Sequence, residues 1–196
     1  MSSDHKSVKS PYHNFDINLL DCEFLGRGNN GIVYLLPDGN VIKICFEHKS
    51  FEREYAILEA VNGNKYFPRL YEVGGNYMIR ECVPGESLSH YIAKNGLDEE
   101  LSLKIIELLK EFISLNFTKI DIRCKDIFVQ PNGILKVIDP KKFYTKERSF
   151  PRHLSKGLYK LGVLDTFLQA LKDNEPKFYK SWYPEIDKYI KETYES

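Results

Sequence analysis

Phe24-Leu25-Gly26-Arg27-Gly28-Asn29-Asn30-Gly31-Ile32-Val33-Tyr34-Leu35 sets three glycines at G-x-G-x-x-G spacing between two apolar runs. Without a Cβ, such a loop can bring its backbone close to an anion and turn its N–H groups inward. In a dinucleotide-binding unit the same loop opens a helix. Here Ile32 to Leu35 is β-branched and aromatic, which predicts a strand instead. A second turn, Pro37-Asp38-Gly39-Asn40, leads into Val41-Ile42-Lys43-Ile44-Cys45, and Asp-Gly between apolar runs is a strong hairpin signal. Three antiparallel strands are therefore expected first. Residues 1–16, rich in Ser, Lys and His, read as a mobile tail.

Downstream, Phe51, Tyr55, Leu58 and Val61 recur at helical spacing and predict a helix over 49–62. Two further strands are expected at 70–73 and 77–81. Val83-Pro84-Gly85 breaks the pattern and marks a boundary. The second half reads as mainly helical. Asp98 caps a helix striped by Leu101, Ile105, Leu108, Phe112 and Leu115. A hairpin follows, with Ile127 to Val129 and Ile134 to Ile138 around Pro131-Asn132-Gly133. After a polar segment, 141–152, one apolar helix is expected from near Gly157 through Leu171, and then a short aromatic C-terminus. The order of elements gives an α+β fold.

Twenty-eight basic and twenty-eight acidic residues cancel, so bulk charge favours neither nucleic acid nor an anionic membrane as a partner. No apolar run approaches the ~20 residues needed to cross a bilayer, and Met1 to Ser10 lacks the apolar core of a signal peptide. Cys22, Cys45, Cys82 and Cys124 are scattered and read as small buried hydrophobes rather than a disulfide or zinc set. A cytoplasmic protein is expected.

Two groupings carry chemistry. Lys43 lies inside an apolar strand, sharing a face with Val41 and Cys45. Glu54 projects from the apolar stripe of the following helix, whereas Glu52 points away from it. A carboxylate on such a stripe needs a cation, and Lys43 is the candidate. In the hairpin, Asp126 precedes the first strand and Asp139 follows the second, so an antiparallel turn brings them together. Asp121 can loop back to the same place. Three carboxylates so placed call for a cation, and hard oxygen ligands suit magnesium with nucleotide phosphates.

In order and spacing these pieces resemble the protein-kinase family over roughly residues 20–172. The resemblance implies a two-lobed fold, with a small antiparallel-sheet N-lobe plus one helix (17–82) and a mainly helical, truncated C-lobe (83–196). It implies ATP and Mg2+ as cofactors. Leu25, Gly26, Gly28, Gly31 and Val33 would cover the nucleotide and Lys43, held by Glu54, would fix its phosphates. The backbone of Glu81 and Val83 would meet adenine, and Glu86 the ribose. Asp121 would be the catalytic base, Arg123 would neutralise the transferred group, and Asp126 and Asp139 would hold the metal.

The chain departs from that family at several points. Lys119-Ile120 stands before Asp121 in place of His-Arg, position 126 is Asp where the family has Asn, and Pro140-Lys141 follows Asp139 in place of Phe-Gly. These departures bear on the acceptor more than on the nucleotide. The first expectation is a Ser/Thr hydroxyl of a protein. The alternatives are a pseudokinase without catalysis, a small-molecule kinase of the aminoglycoside or choline type, and a plain α+β domain. Trp182, Tyr183, Tyr189 and Tyr194 either cap the shortened C-lobe or present a surface to a regulatory partner.

Overall fold

A computed structural model describes residues 17–140 and 142–194; the expected tail at 1–16 lies outside them. The fold is α+β, with antiparallel sheets and several helices. By internal contacts the chain divides into two units. Among the described residues, one holds 17–52 together with Leu70–Cys82, and the other holds Arg53–Arg69 and those from Val83 onward.

The first unit is built on a five-stranded antiparallel sheet. The three expected opening strands are β1 (Glu23–Arg27), β2 (Gly31–Leu35) and β3 (Val41–Cys45). The β2–β3 turn is held by Asp38, whose carboxylate accepts the Asn40 backbone N–H at 2.9 Å, and by Gly39 at φ 84°. After α1 (His48–Ala60), β4 (Leu70–Gly74) and β5 (Tyr77–Arg80) complete the order β1-β2-β3-β5-β4. Every residue of β3 is buried. Ile42 and Ile44 pack with Leu36, Tyr77 and Ile79 on one face. By strand alternation, Lys43 lies on the other, opposite Val33 on β2 and Met78 on β5. The α1 helix begins in this unit and ends in the second.

In the second unit Gly85, at φ 106°, turns the chain where an added Cβ would lie 2.1 Å from the Val129 carbonyl oxygen. The short β6 (Glu86–Ser87) then joins β7 (Ile127–Val129) and β8 (Leu135–Val137) in a second antiparallel sheet. Ser87 caps α2 (Leu88–Asn95), which the sequence reading did not anticipate. Asp98 caps α3 (Glu99–Ser114) as expected, accepting the Leu101 N–H at 2.8 Å. Leu108 and Phe112 of its stripe are fully buried.

Two expectations for the C-terminal half need correction. The single helix from Gly157 to Leu171 is two, α4 (Arg152–Lys160) and α5 (Leu164–Asn174), because Gly162 at φ 71° ends the first. The short aromatic C-terminus is the nineteen-residue α6 (Pro176–Tyr194), which continues through Pro184. Trp182, Ile186 and Ile190, one turn apart, are buried and offset the hydrogen bond that Pro184 removes. Tyr183 and Tyr194 are exposed but stack on Tyr179 and Tyr159.

An aromatic cluster of Phe67, Phe112, Phe117 and Phe143 anchors the segment after β8; Phe117 and Phe143 stack at 4.5 Å. Backbone bonds then stitch that segment to residues 118–120: Lys119 N–H to the Phe143 carbonyl, Ile120 N–H to that of Arg148, and Arg148 N–H to that of Thr118.

Candidate functional site

In the first unit, the three glycines differ in what they are for. An added Cβ at Gly31 would lie 2.3 Å from the Ile44 carbonyl oxygen, so this glycine is demanded by the approach of β3. Around Gly26 and Gly28 no atom of the described residues lies within 4 Å of an added Cβ. Among the described residues no packing contact requires glycine at those two positions. The loop is closed by the Gly28 N–H donating to the Gly31 carbonyl at 2.9 Å. Leu25 beside it is exposed and Val33 half-buried, and Lys43 is buried. Glu81, in the segment after β5, is half-buried.

The second unit holds Glu54, Val83, Glu86 and the acidic loop. Glu54 is buried, as its place on the α1 stripe predicts, and Glu52 is exposed. Val83 and Glu86 are half-buried, and Glu86 borders a cavity of about 250 Å³ with Gly85, Tyr91 and Val129. Lys43 and Glu54 fall in different units.

The β7–β8 hairpin positions Asp126 and Asp139 as its geometry dictates. Ile127 pairs with Val137, and the Ile138 N–H donates to the Asp126 carbonyl at 3.0 Å, so the two aspartates sit at adjacent strand ends. Asp126 closes a 3-10 turn, Cys124–Asp126, with its N–H bonded to the Arg123 carbonyl at 2.9 Å. The Arg123 side chain forks onto the Asp126 carboxylate, Nε to Oδ2 at 2.5 Å and Nη2 to Oδ1 at 2.9 Å. That pairing raises the guanidinium above its ordinary value, and Asp139 adds to the effect.

Asp121 is held by a different residue. Its side chain is fully buried, and it takes two hydrogen bonds from one residue, His153: the backbone N–H at 2.7 Å and the ring Nδ1. Among the described residues, no group of three or more His, Cys, Asp or Glu side chains is arranged to hold a metal ion. Lys119, two residues before Asp121, lies over the Phe143 ring; burial pushes its ammonium below the ordinary value against the pull of Asp121 and Asp126.

His153 was missed from the sequence, and no local signal marks it. It lies 32 residues from Asp121 and reaches it because α4 docks on the 3-10 turn. At Gly157 an added Cβ would meet Cys124 Sγ at 2.6 Å, and that thiol donates to the Leu154 carbonyl at 3.7 Å.

No family model matches the chain. Among curated proteins it is similar to a Bacillus subtilis (strain 168) protein named "Putative serine/threonine-protein kinase YrzF", with 24% identity over 125 residues. The match covers 61% of this chain and 58% of that relative, less than two thirds of its length. A likeness at this level supports a kinase-like character and no finer assignment. No helix among the described residues is long and apolar enough to cross a membrane.

Proposed function

We propose that this chain is a kinase-like phosphotransferase that moves the γ-phosphoryl group of ATP onto a Ser or Thr hydroxyl of a protein. The single observation that carries the reading is the loop from Asp121 to Asp139. It sets two carboxylates at adjacent strand ends and buries a third, Asp121, five residues upstream of the first. The open space at Gly26 and Gly28, the buried Lys43 and the kinase-like relative all agree with it.

Phosphoryl transfer relies mostly on positioning and charge neutralisation. Within this proposal, Leu25, Gly26, Gly28, Gly31 and Val33 cover the nucleotide, Lys43 neutralises its phosphates, and the backbone of Glu81 and Val83 with Glu86 serves adenine and ribose. Glu54 belongs to the same set. The two-lobed arrangement, 17–82 and 83–196, and work in the cytoplasm are parts of the same reading.

Asp126 and Asp139 are the residues that would hold magnesium. Two carboxylates suffice for an ion whose other ligands are phosphate oxygens and water, so the absence of a larger cluster does not count against them. When bound, the ion offsets the charge that builds on the phosphates. In this reading Arg123 releases Asp126 and neutralises the transferred group instead. Asp121 is the carboxylate on which removal of the acceptor proton depends.

The Arg123–Asp126 fork favours one second reading. If it stays closed, a metal carboxylate is spent on an internal cation, and the chain is a pseudokinase. A transfer assay with γ-labelled ATP on general protein acceptors separates the two. The proposal expects wild-type transfer that Asp121→Asn reduces by at least about a hundredfold. Equal background in both proteins would leave the pseudokinase.

A further inference from the structure

We propose that His153 is the residue that takes the proton from the acceptor hydroxyl, with Asp121 acting through it as a positioning residue. The inference rests on the phosphotransferase reading and assigns its proton step to a different atom.

Burial comes first. The Asp121 side chain has no exposed surface, while the His153 side chain keeps 34% of its own. Both oxygens of Asp121 are engaged by His153. A hydroxyl arriving from solvent meets the imidazole, and the carboxylate lies behind it.

The ring's tautomer follows from its two neighbours. An ionised carboxylate only accepts, so the Nδ1 that faces Asp121 carries the hydrogen. A guanidinium only donates, so the Nε2 that faces Arg152 Nη2 at 3.3 Å holds a lone pair. With the hydrogen on Nδ1, the Nε2 lone pair lies on the far side of the ring from Asp121 and faces Arg152. A helix-capping role for Asp121 accounts for the backbone N–H at one oxygen, but it does not need the ring at the other. Arg152 is itself steadied over the Tyr189 ring at 5.3 Å, and α4 is clamped on Cys124 through Gly157, so the ring is held on a rigid element.

In the step proposed, the acceptor oxygen forms a bond to the γ-phosphorus. The bond from that phosphorus to the bridging oxygen breaks, and its electron pair leaves with ADP. Arg152 Nη2 gives up the Nε2 lone pair, the acceptor proton passes to His153 Nε2, and the ring later gives that proton to water.

The deciding variant is His153→Asn. Its amide nitrogen falls where Nδ1 was, so the bond to Asp121 and the docking of α4 are kept while the Nε2 base is lost. We expect kcat to fall on the order of 10²–10⁴-fold with KM for ATP unchanged. Calorimetry of the variant should show wild-type Mg-ATP affinity. In the wild type, long-range proton–nitrogen NMR should show hydrogen on Nδ1 and none on Nε2. An active wild type whose His153→Asn variant keeps kcat within about twofold, or a ring carrying hydrogen on Nε2 alone, overturns the inference and leaves the phosphotransferase reading standing. A wild type that transfers no phosphate removes both.

Discussion

Alanine at Gly31 and alanine at Gly28 should fail in opposite ways. At Gly31 the new methyl would lie 2.3 Å from the Ile44 carbonyl oxygen and 3.1 Å from the Cys45 Cα, both backbone atoms of the paired strand. Relief requires β2 and β3 to part by more than ~1 Å where strands sit ~4.8 Å apart. The end pair Gly31–Cys45 is then lost. Adding one hydrogen bond of about 1 kcal/mol to overpacking of about 2 kcal/mol gives a cost near 3 kcal/mol. For a chain of this size that lowers Tm by about 6–12 °C. At Gly28 the methyl meets nothing within 4 Å and no left-handed φ is involved, so stability should stay within about 1 kcal/mol. If that space belongs to the phosphates of a nucleotide, Gly28→Ala should still weaken Mg-ATP binding by about tenfold or more. Differential scanning fluorimetry with and without Mg-ATP reads both effects at once. A Gly28→Ala protein that is as unstable as Gly31→Ala, or that binds Mg-ATP like the wild type, would refute the division of roles between the two glycines.

Two other perturbations test the second unit. Arg123→Gln removes the fork from the mostly buried Asp126 carboxylate and should cost about 2 kcal/mol in urea unfolding. Because it frees a proposed metal carboxylate, added magnesium should stabilise this variant more than the wild type; an equal response would count against Asp126 as a ligand. Alkali tests the packing of α4 on the 3-10 turn. Burial pushes the Cys124 thiol up from 9.0 to about 12, so the unfolded chain ionises first as pH rises. The stability this thiol contributes is whole below about pH 9 and is lost between there and about pH 12. Urea midpoints at about pH 8 and about pH 10.5 should therefore fall more steeply for the wild type than for Cys124→Ala. Parallel slopes would mean the thiol is not sealed.

Much of the first unit was legible because its signals are local. Three glycines and an Asp-Gly turn between β-branched runs leave few alternatives to a three-stranded start, and the period-2 pattern around Lys43 places its side chain opposite Ile42 and Ile44. The hairpin carrying Asp126 and Asp139 could be read for the same reason, since pairing around Asn132-Gly133 fixes which strand ends meet. What escaped depends on context. The β6 strand is two residues long, and Ser87 serves both as its end and as the cap of α2. Pro184 reads as a helix breaker, yet the burial of Trp182, Ile186 and Ile190 overrides it. Leu161 and Leu164 continue a helical stripe, but Gly162 takes a positive φ and divides it. His153 was out of reach because its partner is chosen by the docking of α4, a tertiary event with no trace in the residues around either.

The central claim is that this chain binds Mg-ATP through the residues named, and isothermal titration calorimetry of the whole chain tests it most directly. The account predicts a saturable heat for the wild type at or below millimolar nucleotide, strongly reduced in Lys43→Met and dependent on magnesium in a way that Asp139→Asn abolishes. A folded wild type that takes up no Mg-ATP at millimolar concentration, or one whose affinity is untouched by both substitutions, would contradict it.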